Sequence, residues 1–501
     1  ISLCDWSSDV CSSDLKRLRR ISPSKPLTKL LGLPLLERNI RLLKDLGVSK
    51  VVVVTGHRHR HLGAWCKKHA SEIGIEIVTV HNDEWETAEN GRSLHAAAGL
   101  VDEPFVLLMA DHVYSSDLLS TLVRTLPPAG GAVLAVDRDT SAGWVDPDDV
   151  TRVVLRGRRI TAIGKGLAKS DGFDTGAFYC DPAVFSTVSR SIRSGKTSLS
   201  QAMQMLAADG LLEARFVEGM FWQDVDTPAD LRTARRRLVD AVADKPTDGP
   251  ISRHINRPIS KRLTPLLVAL GMTPNAISVL SLVLSLGAAV LLAQPRYGLM
   301  ALGGVIAQLA SIIDGCDGEV ARLTMRSSKF GGWFDAQLDR YADAALLGGL
   351  TWNLLSRGEG LAAYLVGITA IAGSFVVSYG AHKADRVLDE RFRVGRDLRV
   401  FVIMVGALFG SAWLALVVLA VTMNLVVVRR MTRMRPLLDR PVERPEPSQA
   451  PSETVPAVAS VSFTSVATKP LTRPDHTWTT RPTRPGLKTT PASPSARPRP
   501  K

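Results

Sequence analysis

Between residues 276 and 428 the chain carries apolar stretches long enough to cross a bilayer, and nothing else constrains its fold as tightly. They lie near 276–294, 297–313, 337–355 and 361–380, followed by a longer run at 400–428. A helix needs about 20 residues to cross the hydrocarbon core, where only helices or closed barrels satisfy every backbone group. The last run is long for one helix and short for two, and Gly410-Ser411 interrupts it. Charge arbitrates. Basic residues crowd ahead of the first stretch (Arg253, Arg257, Lys261, Arg262) and between the second and third (Arg322, Arg326, Lys329). They recur between the fourth and fifth (Lys383, Arg386, Arg391, Arg393, Arg396, Arg399) and after the last (Arg429, Arg430, Arg433, Arg435). Positive residues stay on the cytoplasmic side, so both flanks are predicted to be cytoplasmic and the number of spans even. The expectation is an all-α, six-helix transmembrane domain over 253–435, its fifth helix starting within 396–399.

Acids are scarce in such segments, because an ionised side chain in hydrocarbon costs at least ~3 kcal/mol. Here Asp314, Asp317, Asp335 and Asp339 stand where one apolar segment ends and the next begins. Spacings of three and four residues put each pair on one helix face. Four converging carboxylates repel one another unless cations sit between them, and oxygen-only ligands favour hard divalent ions such as Mg²⁺ or Mn²⁺. Gly318 and Ala321 share nearly the same face, where missing bulk allows close approach, and Arg322 adds a planar cation suited to phosphate. The residues read as a two-metal phosphoryl-transfer site at a membrane surface. The bland alternative is a set of helix-capping aspartates in a loop.

The whole spacing, D-x2-D-G-x2-A-R-x8-G-x3-D-x3-D from Asp314 to Asp339 with Gly331 as its last glycine, resembles the signature of the CDP-alcohol phosphotransferase family of integral membrane enzymes. That resemblance covers about 253–430. It implies that Asp314, Asp317 and Asp335 hold metals, and that Asp339, also near a metal, is the catalytic base that takes the acceptor's proton as CMP leaves. It implies roles for Gly318, Ala321, Arg322 and Gly331 beside the substrate, and members that commonly pair as homodimers in the membrane.

Residues 16–240 read as a different object. Val51-Val-Val-Val-Thr-Gly56 and Phe105-Val-Leu-Leu-Met-Ala-Asp111 are buried-strand patterns, with helical patterns at 34–46 and 64–73 between them. Such alternation implies an α/β, Rossmann-like parallel sheet with ligands at the carboxyl ends of its strands. Asp111 would sit at such an end, and so would Asp224 and Asp226. Thr227, Pro228 and Asp230 already supply the cap, first-turn proline and acid of the next helix, which leaves Asp224 and Asp226 free for a metal on a triphosphate or as solvated loop acids.

Ser22-Pro-Ser-Lys25-Pro-Leu27, Gly32-Leu-Pro-Leu-Leu-Glu-Arg38, Asn90-Gly-Arg-Ser93-Leu94, Met109-Ala-Asp111-His-Val-Tyr114, Gly164-Lys165 and Asp174-Thr-Gly176 are together similar to inositol-1-phosphate cytidylyltransferases, a branch of the nucleotidyltransferases. The resemblance implies that Lys25 contacts phosphate, Asn90 and Ser93 the cytosine, Asp111 and Asp224 the metal, and Lys165 with Thr175 the inositol phosphate. A fusion of this kind resembles bifunctional enzymes that make CDP-inositol from CTP and inositol phosphate and then di-myo-inositol phosphate phosphate.

That fold normally opens with a strand and a glycine-rich turn that cradles the triphosphate. Arg17-Leu18 looks like the tail of this motif, but no glycine precedes Gly32. Residues 1–15 have neither the basic start nor the apolar core of a signal peptide and read as a non-native extension. The expectation is therefore a sheet without its central strand, and CTP turnover by this chain that is weak or absent. Residues 241–252 read as a linker. Residues 436–501, rich in Pro, Thr, Ser and Arg, read as a disordered tail.

A net charge of +14 suits nucleic acid or anionic membrane. The basic clusters flank apolar segments and no nucleic-acid-binding motif occurs, so membrane lipid is the expected partner and nucleic acid is not. The five cysteines form no pairing framework and read as reduced thiols. Three functions stay open: the bifunctional enzyme, with a soluble CDP-alcohol as donor; a phospholipid synthase using CDP-diacylglycerol, with the first domain inactive or regulatory; and a transporter. The transporter fits least, since its acids should spread near mid-membrane.

Overall fold

Alternation in the strands builds the N-terminal half. In the computed structural model, residues 2–4, 24–140, 150–243, 248–384 and 395–438 are described. Arg17-Leu18, most of the expected extension at 1–15, the basic residues Arg386, Arg391 and Arg393, and the tail beyond 438 lie outside them. Val52 and Val54 belong to one apolar cluster with Leu107, Met109 and Phe178. Val51 and Val53 belong to another, with Val106, Leu108 and Leu43. A strand buried on both faces is continuously apolar, and successive side chains separate into the two layers.

From edge to edge the nine-stranded sheet runs Glu76–His81, Lys50–Thr55, Ser2–Cys4, Phe105–Met109, Gly172–Cys180, Ala132–Asp137, Leu212–Phe216, Arg159–Gly164 and Arg152–Arg156. Two expectations need correction here. The central strand is not missing: Ser2–Cys4 pairs in parallel with both Lys50–Thr55 and Phe105–Met109. Nor is the sheet wholly parallel, because Gly172–Cys180 runs antiparallel to both its neighbours.

The N-terminal half ends with helix α1 (Pro228–Ala243). As the sequence indicates, the Thr227 hydroxyl accepts from the Asp230 amide at 3.2 Å and the Asp230 carboxylate accepts from the Thr227 amide at 2.7 Å. Helices then follow as α2 (Arg257–Ala269), α3 (Pro274–Leu292), α4 (Tyr297–Leu323), α5 (Lys329–Ser356), α6 (Gly360–Ala384), α7 (Arg396–Leu408) and α8 (Ala412–Leu438). Small residues let them touch closely. A Cβ on Gly349 would meet the Ala289 carbonyl at 2.5 Å, and one on Gly304 the Ala407 methyl at 2.7 Å. Val279, Val283, Leu286 and Val290 form an exposed outer stripe on α3, as a helix facing lipid presents.

Among the described residues, four helices are long and apolar enough to cross a membrane: Pro274–Leu292, Tyr297–Leu323, Gly360–Gly380 and Ala412–Arg435. Length and composition thus support four spans where six were expected. The run at 400–428 does break at Gly410-Ser411, with Gly410 at φ +69. The resulting α7 has only 13 residues, short of a ~30 Å core at 1.5 Å per residue. Helix α5 is long enough, but Asp335, Asp339 and Arg340 lie in its first half and Asp343 follows at its middle.

Candidate active site

In the membrane half, helices α4 and α5 bring the acids together. Asp314, Asp335 and Asp339 each offer an oxygen within 4.8 Å of the others. Asp317 lies one turn along α4 from Asp314, with its carboxyl beside that of Asp335. Helix α3 holds the pair from behind, the Ser281 hydroxyl donating to Asp314 Oδ1 at 3.1 Å and the Ser278 hydroxyl to Asp317 Oδ2 at 2.5 Å. Asp335 Oδ1 is buried without a hydrogen-bond partner, so the cluster has acceptor capacity that the protein leaves unused. A set of hard carboxylate oxygens of this kind fits Mg²⁺ or Mn²⁺.

The signature glycines have local reasons. A Cβ on Gly318 would stand 3.2 Å from Arg322 Nη1, so the guanidinium lies over that bare backbone. Gly331 donates its amide to the Ser328 hydroxyl at 2.9 Å at the start of α5, and a Cβ there would meet that hydroxyl at 3.1 Å. Ala321 is half-buried, its carbonyl accepting from the Arg326 amide at 2.8 Å where α4 ends.

Sequence reasoning missed three partners. Arg396, read only as a loop charge, places Nη1 2.7 Å from Asp314 Oδ2 and 2.6 Å from Asp339 Oδ1. Asp343 continues the four-residue acid register of α5. It meets Arg396 Nε at 3.4 Å and Arg399 Nη1 at 3.0 Å. Glu319, only 1% exposed, accepts from Arg257 at 2.6 Å, Ser260 at 2.7 Å and Thr264 at 2.6 Å. The available signals were an arginine pair three apart, a third acid in register and a glutamate inside an apolar run. Asp314, Asp339, Arg396, Arg257, Ser260 and Asn256 line a cavity of about 270 Å³, which is ample for a polar headgroup.

In the N-terminal half, Asp111, His112 and Asp224 also converge within 4.8 Å, at the short bridge His112–Tyr114 with Trp222–Asp224. Lys25 Nζ donates to Asp111 Oδ2 at 2.6 Å and pairs with Asp226. His112 Nδ1 lies 2.8 Å from Asp111 Oδ1 and 3.5 Å from Asp224 Oδ1. Burial alone would raise the Asp111 pKa, but Lys25 and His112 outweigh it and hold the carboxyl well below the usual range. Asp224 keeps the burial effect and is pushed up to about 7. Burial would lower His112, yet the Asp224 charge and the Asp111 hydrogen bond raise it to about 9.

The expected base-contacting residues lie on the helix Asn90–Ala96. There Asn90 Oδ1 accepts from the Leu199 amide and the Ser93 hydroxyl accepts from Asn82 at 3.0 Å. Thr175 is fully buried and donates to the Ala135 carbonyl at 2.9 Å, so a direct substrate contact would require that bond to open. Lys165 stands exposed in the turn after Arg159–Gly164.

The two halves adjoin through one apolar cluster. Val113 and Val225, which flank the N-terminal acids in sequence, share it with Leu323 at the end of α4.

Comparison with known proteins divides the chain the same way. Residues 16–147 match the MobA-like NTP transferase domain and residues 271–428 match CDP-alcohol phosphatidyltransferase. The chain is 37% identical over 428 residues to the bifunctional IPC transferase and DIPP synthase of Rubrobacter xylanophilus, covering 84% of this chain and 94% of that one. It is 36% identical to the protein of the same description from Aquifex aeolicus, covering 81% of this chain and 91% of that one. The archaetidylinositol phosphate synthase of Pyrococcus horikoshii is 27% identical over 184 residues, covering 36% of this chain and 92% of that one.

Proposed function

Because the chain belongs to the bifunctional IPC transferase and DIPP synthase family, we propose that its membrane half transfers a phospho-alcohol from a CDP-alcohol to an acceptor hydroxyl, with CDP-inositol as donor and inositol phosphate as acceptor. The observation that carries this reading is the convergence of Asp314, Asp335 and Asp339 beside a polar cavity that also holds Arg396.

Asp314, Asp317, Asp335 and Asp339 would hold the divalent cations, Mg²⁺ or Mn²⁺. When bound, the cations supply charge neutralisation for the pyrophosphate and for the departing CMP. Arg322 contacts donor phosphate, with Gly318 and Ala321 giving it room and Gly331 shaping the facing helix. Asp339 takes the proton from the acceptor hydroxyl as that oxygen bonds to the phosphorus of the phospho-alcohol. The bond from that phosphorus to the CMP oxygen breaks, and CMP leaves with the electron pair. Arg396, already seated between Asp314 and Asp339, is placed to bind an anionic acceptor.

The same reading has six membrane helices, with α5 and α7 crossing beside the four long apolar ones, and both flanks of the domain cytoplasmic. The basic segments and the break at Gly410-Ser411 support it. A homodimer, as the family resemblance implies, belongs with it. The N-terminal half is read as a CTP:inositol-1-phosphate cytidylyltransferase, in which Lys25 contacts phosphate, Asn90 and Ser93 the base, Asp111 and Asp224 a metal, and Lys165 and Thr175 the inositol phosphate. With the central strand supplied by Ser2–Cys4, the expectation of weak or absent CTP turnover rests on the lack of a glycine before Gly32 to cradle the triphosphate.

The second reading, a synthase using CDP-diacylglycerol, draws on the likeness to the archaetidylinositol phosphate synthase. Label from inositol phosphate separates the two. It should appear in a water-soluble product; recovery in the organic phase would overturn the soluble-donor reading.

A further inference from the structure

The C-terminal end of α4 is built into the N-terminal half. Arg38, on the helix Leu35–Asp45 and 4% exposed, donates through Nη2 to the Leu30 carbonyl at 3.0 Å and to the Leu323 carbonyl of α4 at 2.9 Å. Leu323 is 1% exposed and packs with Leu30, Leu35, Phe221 and Leu238. Gly32, at φ +85, approaches so closely that a Cβ would meet Val268 Cγ1 of α2 at 3.2 Å. Met325, just past α4, packs against the second core cluster of the sheet domain. Most directly, Arg322 Nη2 donates to the Val242 carbonyl of α1 at 3.1 Å.

These contacts surround one residue that touches substrate in the reading above. The last carbonyls of a helix have no partner within it, and one from each helix, Val242 of α1 and Leu323 of α4, is satisfied across this contact. An arginine on a free helix end samples many rotamers. Here one nitrogen of the Arg322 fork is fixed by α1, and Nη1 is left over Gly318. The Leu323 carbonyl, next along the chain, is clamped by Arg38.

We propose that the N-terminal half is a structural part of the phosphotransferase site, with Arg38 as a positioning residue that holds the end of α4 so that Arg322 meets the donor's phosphate. The inference rests on the reading of Arg322 as a donor-phosphate contact. It gives the first domain a role in the second reaction even where its own CTP turnover is weak.

The test is the KM of donor and of acceptor for CMP release by full-length protein in membranes, comparing the natural chain with Arg38→Ala and Arg38→Lys. Loss of a charged hydrogen bond that orients a binding group should raise the donor KM about five- to tenfold in Arg38→Ala, with the acceptor KM unchanged. Arg38→Lys keeps the charge without the planar fork and should fall between. It also serves if the alanine variant fails to accumulate. An unchanged donor KM, a fall in kcat alone, or an equal rise in both KM values would overturn the proposal, since each marks a merely structural role. Absence of CMP release from the natural chain would instead sink the phosphotransferase reading itself.

Discussion

In the membrane half the convergent carboxylates come from two consecutive helices, α4 and α5; in the N-terminal half Lys25, Asp111 and Asp224 come from three segments far apart along the chain. Each cluster has a buried carboxylate oxygen without a hydrogen-bond partner, Asp335 Oδ1 in the first and Asp224 Oδ1 in the second, and in the first one arginine bridges Asp314 and Asp339. The second is already neutralised from within, by Lys25 on Asp111 and by a histidine shared between Asp111 and Asp224. Helical presentation makes a strong, repulsive ligand set that calls for cations, whereas the sheet-borne set is balanced by its own lysine and histidine. The membrane site should therefore depend on metal and on single acids most steeply.

The largest effect expected is on that dependence. Chelation of divalent ions should bring CMP release to background, with Mg²⁺ or Mn²⁺ restoring it. Asp339→Asn should lower release about 10²–10⁴-fold by removing the base. Full release from the chelated enzyme or from the variant would erase the contrast between the clusters.

Next comes stability. Glu319→Ala leaves Arg257 buried with one of its two acidic partners gone, and breaking a buried pair costs about 3–5 kcal/mol. By contrast Asp226 is 38% exposed, so Asp226→Asn should cost about 1 kcal/mol or less. Denaturation followed in detergent for both variants should rank them in that order, and an equal or reversed ranking would undo it.

A smaller effect lies in CTP turnover. It should be weak or absent in this chain, and measurable turnover would put the N-terminal cluster on the same footing as the other. The smallest effect is on pH. His112 is raised in the fold from 6.5 to about 9, so the stability it contributes is complete below pH 6.5 and lost as pH rises through about 9. Thermal unfolding of the N-terminal half should soften over that window, and His112→Gln should flatten the dependence.

The difference between the clusters also explains what could be read from residue order. Asp314 and Asp317, or Asp335 and Asp339, share helix faces because three and four residues make about one turn, so their placement follows from spacing. The capping of α1 by Thr227 and Asp230 is local in the same way. The bridge from Lys25 to Asp226 depends on chain topology, and no spacing rule reaches it. Ser2–Cys4 carries no strand pattern of its own and is held by the strands on either side, a case where tertiary context overrides local preference. Arg396 escaped notice because its partners lie on other helices. Among the described residues only four of the six expected spans have the length and composition of a membrane helix, because α5 mixes charge into an otherwise adequate length and α7 is short.

The most direct measurement is CMP release from purified membranes supplied with Mg²⁺ and inositol phosphate, offering either CDP-inositol or CDP-diacylglycerol, with Asp339→Asn in parallel. Release from CDP-inositol alone, lost in the variant, is the result expected of a phosphotransferase whose helix-borne acids serve a soluble donor. Release from CDP-diacylglycerol alone would contradict it, making the protein a phospholipid synthase and the first half a regulator or a vestige.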